Sequence, residues 1–226
     1  MRNEPPQRRP STKQSVAAVL FASGLVASAA TAAAPDPLWE KTVATMKASR
    51  KWVAQDLEDT VNAVKDNERR RVVQKKQLAG WDEGVPRYTV VSTTSGKSGS
   101  KDEQQVDFAL LGRLGDEDLL EPGTSLKRTD DQVLDGKSVS VFQGQLKSGL
   151  KVKLWVDAET GALLQRVDEV SIPFGVESLQ TTRFVIDPEG RNLPSSATIN
   201  LTVNVPFKKV RVDIATRMSN WVEAKR

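Results

Sequence analysis

Leu150 to Glu169 reads LKVKLWVDAETGALLQRVDE, a strand, a tight loop and a returning strand in one short run. Leu150, Val152, Leu154 and Val156 alternate with Lys151, Lys153 and Trp155, so period two gives this segment one dry face and one wet face. Asp157-Ala158-Glu159-Thr160-Gly161 is a hairpin loop: Asp157 can cap it with its carboxylate, and Gly161 can take φ > 0 without a Cβ clash. Ala162 to Glu169 (ALLQRVDE) is the return strand.

The same pattern extends in both directions. Upstream lie Arg87 to Thr94 (RYTVVSTT), rich in β-branched and aromatic residues, and Lys137 to Gln145 (KSVSVFQGQ), which alternates. Downstream, Thr181 to Ile186 is closed by the turn Asp187-Pro188-Glu189-Gly190. Thr198 to Val205 (TINLTVNV) is the most regular run. Ile199, Leu201, Val203 and Val205 face one side, Thr198, Asn200, Thr202 and Asn204 the other, and Pro206 stops it. Val210, Val212 and Ile214 mark a last strand. Hairpins in series imply an antiparallel meander rather than crossover units.

One apolar sheet face must be covered. Two segments with helical spacing are available. Residues 38–65 are expected to be largely helical, with a first strand over 50–60 as the rival reading. Residues 104–120 carry Phe108, Leu111 and Leu114, then Leu119-Leu120. The apolar stripes of both are narrow. The space between sheet and helices is therefore either a filled core or an apolar cavity, and the candidates for its wall are Val152, Leu154, Val156, Ile199, Leu201, Val203 and Val205.

The N-terminus has the layout of a cleaved secretory signal. Arg2, Arg8, Arg9 and Lys13 form a basic head, Val16 to Ala30 is a mild apolar run, and SAATAAAPD follows. Cleavage after Ala30-Thr31-Ala32 leaves residues 33–226 as a single domain, and a signal peptide over 1–32. A membrane anchor is the rival, but Val16 to Ala34 is mostly Ala, Ser, Thr and Gly and barely reaches the ~20 residues that a spanning helix needs. Arg8-Arg9 suggests the twin-arginine route, yet Pro10-Ser11-Thr12 breaks its usual continuation. The expected location is the periplasm, with a mature form that does not span the membrane.

Loss of residues 1–32 lowers the net charge from +4 to +1, so the basicity belongs to the targeting segment and a nucleic-acid partner is not expected. The dense basic run Arg69-Arg70-Arg71 with Lys75-Lys76 reads as a solvated face, or as a contact for an anionic membrane or partner. The chain has no Cys and no His. That excludes disulfides, thiolate metal sites, His-based triads and most zinc and haem chemistry, and no cofactor is expected. The acidic runs Asp116-Glu117-Asp118, Asp130-Asp131 and Asp168-Glu169 are weak acid–base candidates, because neighbours on a strand point to opposite faces. An enzyme is not expected. Trp39, Trp52, Trp81, Trp155 and Trp221 fit core and sheet-edge packing, or the mouth of an apolar site.

Trp155, Asp157, Thr160, Gly161, Leu163 and Leu164, with the order signal peptide, early helix and long run of strands, resemble the superfamily of the periplasmic outer-membrane lipoprotein-sorting carrier. The resemblance implies a mainly β fold with helices (α+β): a curved antiparallel unclosed barrel covered on its concave side by helices, around a cavity that in relatives holds acyl chains. The function it implies is that of an exported, non-catalytic binding or carrier protein for a lipid, an acyl chain or a lipoprotein. The alternative is an envelope protein-interaction or sensing module with a filled core and no ligand.

Overall fold

A computed structural model describes residues 36–65, 68–95, 116–172, 175–205 and 208–225. The chain divides into units 1–34 and 35–226. The expected signal peptide, residues 1–32, lies outside the described residues, as do residues 104–115 of the second expected helix.

Asp36 caps helix α1 (Pro37–Ser49) by accepting a hydrogen bond from the Leu38 amide at 2.8 Å, with Pro37 at the first helical position. Three strands follow: β1 (Trp52–Lys65), β2 (Glu68–Asp82) and β3 (Val85–Ser95). The short helix α2 (Asp116–Leu120) precedes β4 (Lys127–Leu134), β5 (Lys137–Gln145), β6 (Lys151–Asp157), β7 (Leu163–Ile172), β8 (Val176–Ile186), β9 (Asn192–Val205) and β10 (Lys208–Glu223). The ten strands make one sheet in the order β3-β2-β1-β10-β9-β8-β7-β6-β5-β4, with each neighbouring pair antiparallel. Strands adjacent in sequence pair, except β3 and β4, and β10 returns to zip against β1. Strands β3 and β4 remain as the two edges. The result is the expected open, curved antiparallel sheet with helices laid on it.

One expectation is corrected. Residues 52–65 form a strand, not the second half of a helix, so the rival reading of a first strand over 50–60 holds and the strands begin well before Arg87. Trp52-Val53, Leu57, Val61 and Val64 do recur at helical intervals. The same residues also serve a strand, and β1 lies between β2 and β10, where pairing on both sides outweighs local preference. Its inner face carries Val53, Leu57 and Asp59, all buried. The buried aspartate breaks the apolar alternation that would have marked the strand.

The hairpin loop is as read. The Asp157 carboxylate accepts from the amides of Glu159 (3.1 Å) and Thr160 (2.8 Å), and Gly161 has φ +74°. Asp187 closes the later turn in the same way, accepting from Glu189 and Arg191 amides.

Helices and sheet enclose an apolar core between α1, α2 and strands β5–β7. Trp39 and Met46 from α1 and Leu119 and Leu120 from α2 meet Phe142, Val152, Leu154, Val156 and Leu163. The Trp39 ring lies tilted at 5.4 Å from Phe142, and its N–H donates to the Thr124 carbonyl at 3.1 Å. Leu154 is fully buried, whereas Leu201 is only half-buried. Leu154→Ala should therefore cost about 2–5 kcal/mol in urea unfolding, and Leu201→Ala clearly less. Equal costs would mean that the two ends of the inner face are packed alike.

Candidate functional site

Beside the filled core, the inner face leaves a cavity of about 120 Å³ that is partly open to solvent. Its wall is mostly apolar: Met46 closes it from α1, Val53 and Leu57 from β1, Ile199 from β9, Met218 and Trp221 from β10. The volume is of the order of the ~150 Å³ apolar cavity known to admit benzene, enough for a short stretch of hydrocarbon. Trp52 and Trp221 stand in the wall, and the Arg191 guanidinium lies 4.2 Å from the Trp52 ring centroid. Exposed Arg50 adds a positive charge to the lining.

One side of the cavity is charged. Arg166 and Asp116 both line it. The Arg166 Nε donates to Asp168 at 2.8 Å, and its Nη1 donates to Asp116 on α2. Arg166 and Asp168 are almost wholly buried. Burial pushes the Asp168 carboxyl up to about 6, although Arg166 beside it acts in the opposite direction. For Arg166, burial acts to lower the pKa, and the two carboxylates outweigh it, so the guanidinium is held above its ordinary value. The ion cluster fastens α2 to β7. It also carries one more negative than positive charge when fully ionised.

These charges belong to a polar row that crosses the sheet. Register partners run Arg166, Thr182, Ala197, Thr216, Asp59, all on the inner face. Thr216 donates to Asp59 at 2.7 Å, and Lys76 of β2 lies 2.9 Å from the same carboxylate. Among the described residues, no buried side-chain polar atom lacks a partner. The row is thus compatible with folding, because each buried charge is paired and hydrogen-bonded.

The seven wall candidates are split by the structure. Ile199 lines the cavity. Val152, Leu154 and Val156 lie in the filled core. Leu201 and Val203 are half-buried on the inner face of β9, and the side chain of Val205 lies outside the described residues. Sequence reading missed Arg166, and it set Asp116 and Asp168 aside as weak acid–base candidates. A β-bulge explains part of this. Trp155 pairs with Gln165 but Val156 pairs with Leu163, so one extra residue, Leu164, resets the alternation. Leu163 points inward, and after the bulge Arg166 and Asp168 do so as well. Unbroken alternation from Leu163 would have sent both to solvent. Glu169 does point outward, where Lys151 pairs with it at 2.7 Å.

No protein-family model matches this chain. No curated protein matches it either. Among solved structures, a DUF1329 family protein from Desulfovibrio piger is 12% identical, with a TM-score of 0.40 over 82% of this chain and 91% of that one. A chain from the MucA/MucB complex of Pseudomonas aeruginosa is 10% identical, with a TM-score of 0.25 over 84% of this chain and 100% of that one. Neither places the chain in the lipoprotein-sorting group.

Asp168 gives the site a pH signature. Its folded pKa, about 6, lies above the ordinary 3.8, so the folded protein holds this proton more tightly than the unfolded chain. Its contribution to stability is complete below about pH 4 and is lost as pH rises through 6. Asp168→Asn cannot titrate. The stability of wild type relative to this variant should fall by about 1–3 kcal/mol between pH 4 and 7. Urea melts across that range would show it, and a flat difference would mean that Asp168 ionises as it does in the unfolded chain.

Proposed function

We propose that the chain is an exported, non-catalytic binding or carrier protein that holds an apolar, lipid-like ligand between its sheet and its helices. The observation that carries this reading is the partly open apolar cavity beside a core that is otherwise filled. A slim hydrocarbon group fits a space of this size, and each CH₂ it buries contributes about 0.8 kcal/mol. An acyl chain, free or on a lipoprotein, is the ligand class that the resemblance of Trp155 to Leu164 adds. The Met46, Met218 and Trp221 side chains suit such a guest, since thioethers and indole rings adapt to irregular apolar shapes.

The N-terminal layout supports export to the periplasm. No helix among the described residues is long and apolar enough to cross a membrane. N-terminal sequencing of the protein from a periplasmic fraction should begin at Ala33. A membrane-bound chain that starts at Met1 or Arg2 would favour an anchor.

One observation favours a second reading. The core under α1 is filled, and the remaining space is small. A protein-interaction or sensing module of the cell envelope would need no more. Native mass spectrometry of protein taken from its own periplasm separates the two. The carrier should retain close to one lipid or acylated molecule per chain. Ala197→Phe, which would fill the cavity from its floor, should lose that ligand and keep the fold. Lipid-free wild type that captures a specific envelope protein would establish the module instead.

A further inference from the structure

The far ends of β1, β2, β9 and β10 carry a group of cations that the cavity does not use. Register places them. Arg69, Val64, Arg211 and Thr202 are consecutive partners across β2, β1, β10 and β9, and Arg71, Asn62, Asp213 and Asn200 form the next such row. Both rows lie on the outer face, because Ile214 and Thr216 are buried on the inner one and alternation sends Arg211 and Asp213 outward. Lys209 extends the patch beside Asn204. Arg69, Arg71, Lys209 and Arg211 are all exposed. Strand spacing puts Arg69 and Arg211 about 10 Å apart.

The local balance is strongly positive. Asp213 is the acid within the two rows, and it is taken up by Arg211 at 3.1 Å and Asn200 at 2.7 Å. Arg69 and Arg71 have no ion-pair partner among the described residues. Glu177 on β8, opposite Thr202, bounds the patch on one side. Glu58, further along β1, is shared between Lys75 and Arg217. A hollow at this end is lined by Arg69, Arg71 and Arg211 together with Asp213, so guanidinium groups suited to phosphate oxygens outnumber the one carboxylate.

Apolar residues accompany the charges. Half-buried Val64 sits between Arg69 and Arg211, and Leu201, Val203, Val210 and Val212 are half-buried on the opposite face of the same strand ends. Cations over a partly exposed apolar edge match the polar-to-apolar gradient of a lipid headgroup layer. Single-stranded nucleic acid would call for aromatic stacking platforms, and none lies among the described residues at this end.

We propose that this end of the sheet docks on the surface of an anionic phospholipid bilayer through Arg69, Arg71, Lys209 and Arg211. The site is separate from the cavity, so it holds whether or not the cavity carries lipid. Attraction of this kind acts within about one Debye length and weakens as salt rises.

Co-sedimentation with vesicles tests it. The wild-type chain should pellet with vesicles of mixed phosphatidylglycerol and phosphatidylcholine at low salt. It should release at high salt and stay in solution with phosphatidylcholine alone. Arg69→Glu/Arg71→Glu should lower the bound fraction by about tenfold. Lys127→Glu/Lys137→Glu, the same charge change at exposed positions on β4 and β5, should retain most of it. All forms share one N-terminus, so the basic head cancels in the comparison, and circular dichroism melts verify folding. Equal loss in both variants would overturn the proposal, because net charge and not this patch would then govern binding. So would binding to neutral vesicles, or no vesicle binding with tight capture of heparin or nucleic acid.

Discussion

The pairing of β1 with β10 holds this molecule together. It joins a three-stranded N-terminal part, β1 to β3, to a seven-stranded meander, β4 to β10, through an antiparallel register that runs from Trp52–Glu223 to Lys65–Val210. Without it there would be two smaller sheets, and no continuous inner face for α1 and α2 to cover. The contact is non-local, since its two strands lie near opposite ends of the described chain. Loop-closure entropy makes such pairing slow to form, and it is repaid only once both partners bury their inner side chains.

The inner face made in this way has two unlike halves. Under α1, strands β5 and β6 present Phe142, Leu154 and Val156, and apolar side chains fill the space. Toward β8, β9 and β10 the wall changes to Thr182, Ala197, Ile199 and Thr216. Thr182, Ala197 and Thr216 are small and leave room below the helices, so the cavity opens on this side. The Arg166 cluster stands at the border between the halves. It adds paired charges to the packing of Leu119 and Leu120 in holding α2, at a site where burial pushes the Asp168 carboxyl up to about 6. An element held by paired charges in low dielectric is sensitive to any group that competes for them.

Much of the strand plan was legible in the sequence. The hairpin at 150–169, the turn at 187–190 and the alternation of 198–205 are local features, set by side-chain period, by Gly161 and by Asp carboxylates that cap their own loops. The absence of Cys and His bounded the chemistry in the same direct way. The first strand was less legible, because an inward aspartate, Asp59, replaces an apolar residue in its alternation and draws its partner Lys76 from another strand. Trp155 shows the middle case. Alternation put it on the face of Lys151 and Lys153, and there its ring lies 4.6 Å from the Lys153 ammonium while its N–H meets Gln132 at 3.3 Å.

Which residues alternate, where the chain turns and which chemistries lack their side chains can be read locally, since each depends on composition or on neighbours within a few positions. Packing across the sheet assigns Val152, Leu154 and Val156 to a filled core while Ile199 faces a cavity. It also brings Asp116 to Arg166 across fifty positions of chain, and sets Arg69 and Arg211 on either side of Val64. The reason is physical. A strand's period says which side a residue takes, but the space on that side is fixed by what the opposing helix and the neighbouring strands bring to it. A bulge of one residue, Leu164, is enough to exchange the inside for the outside.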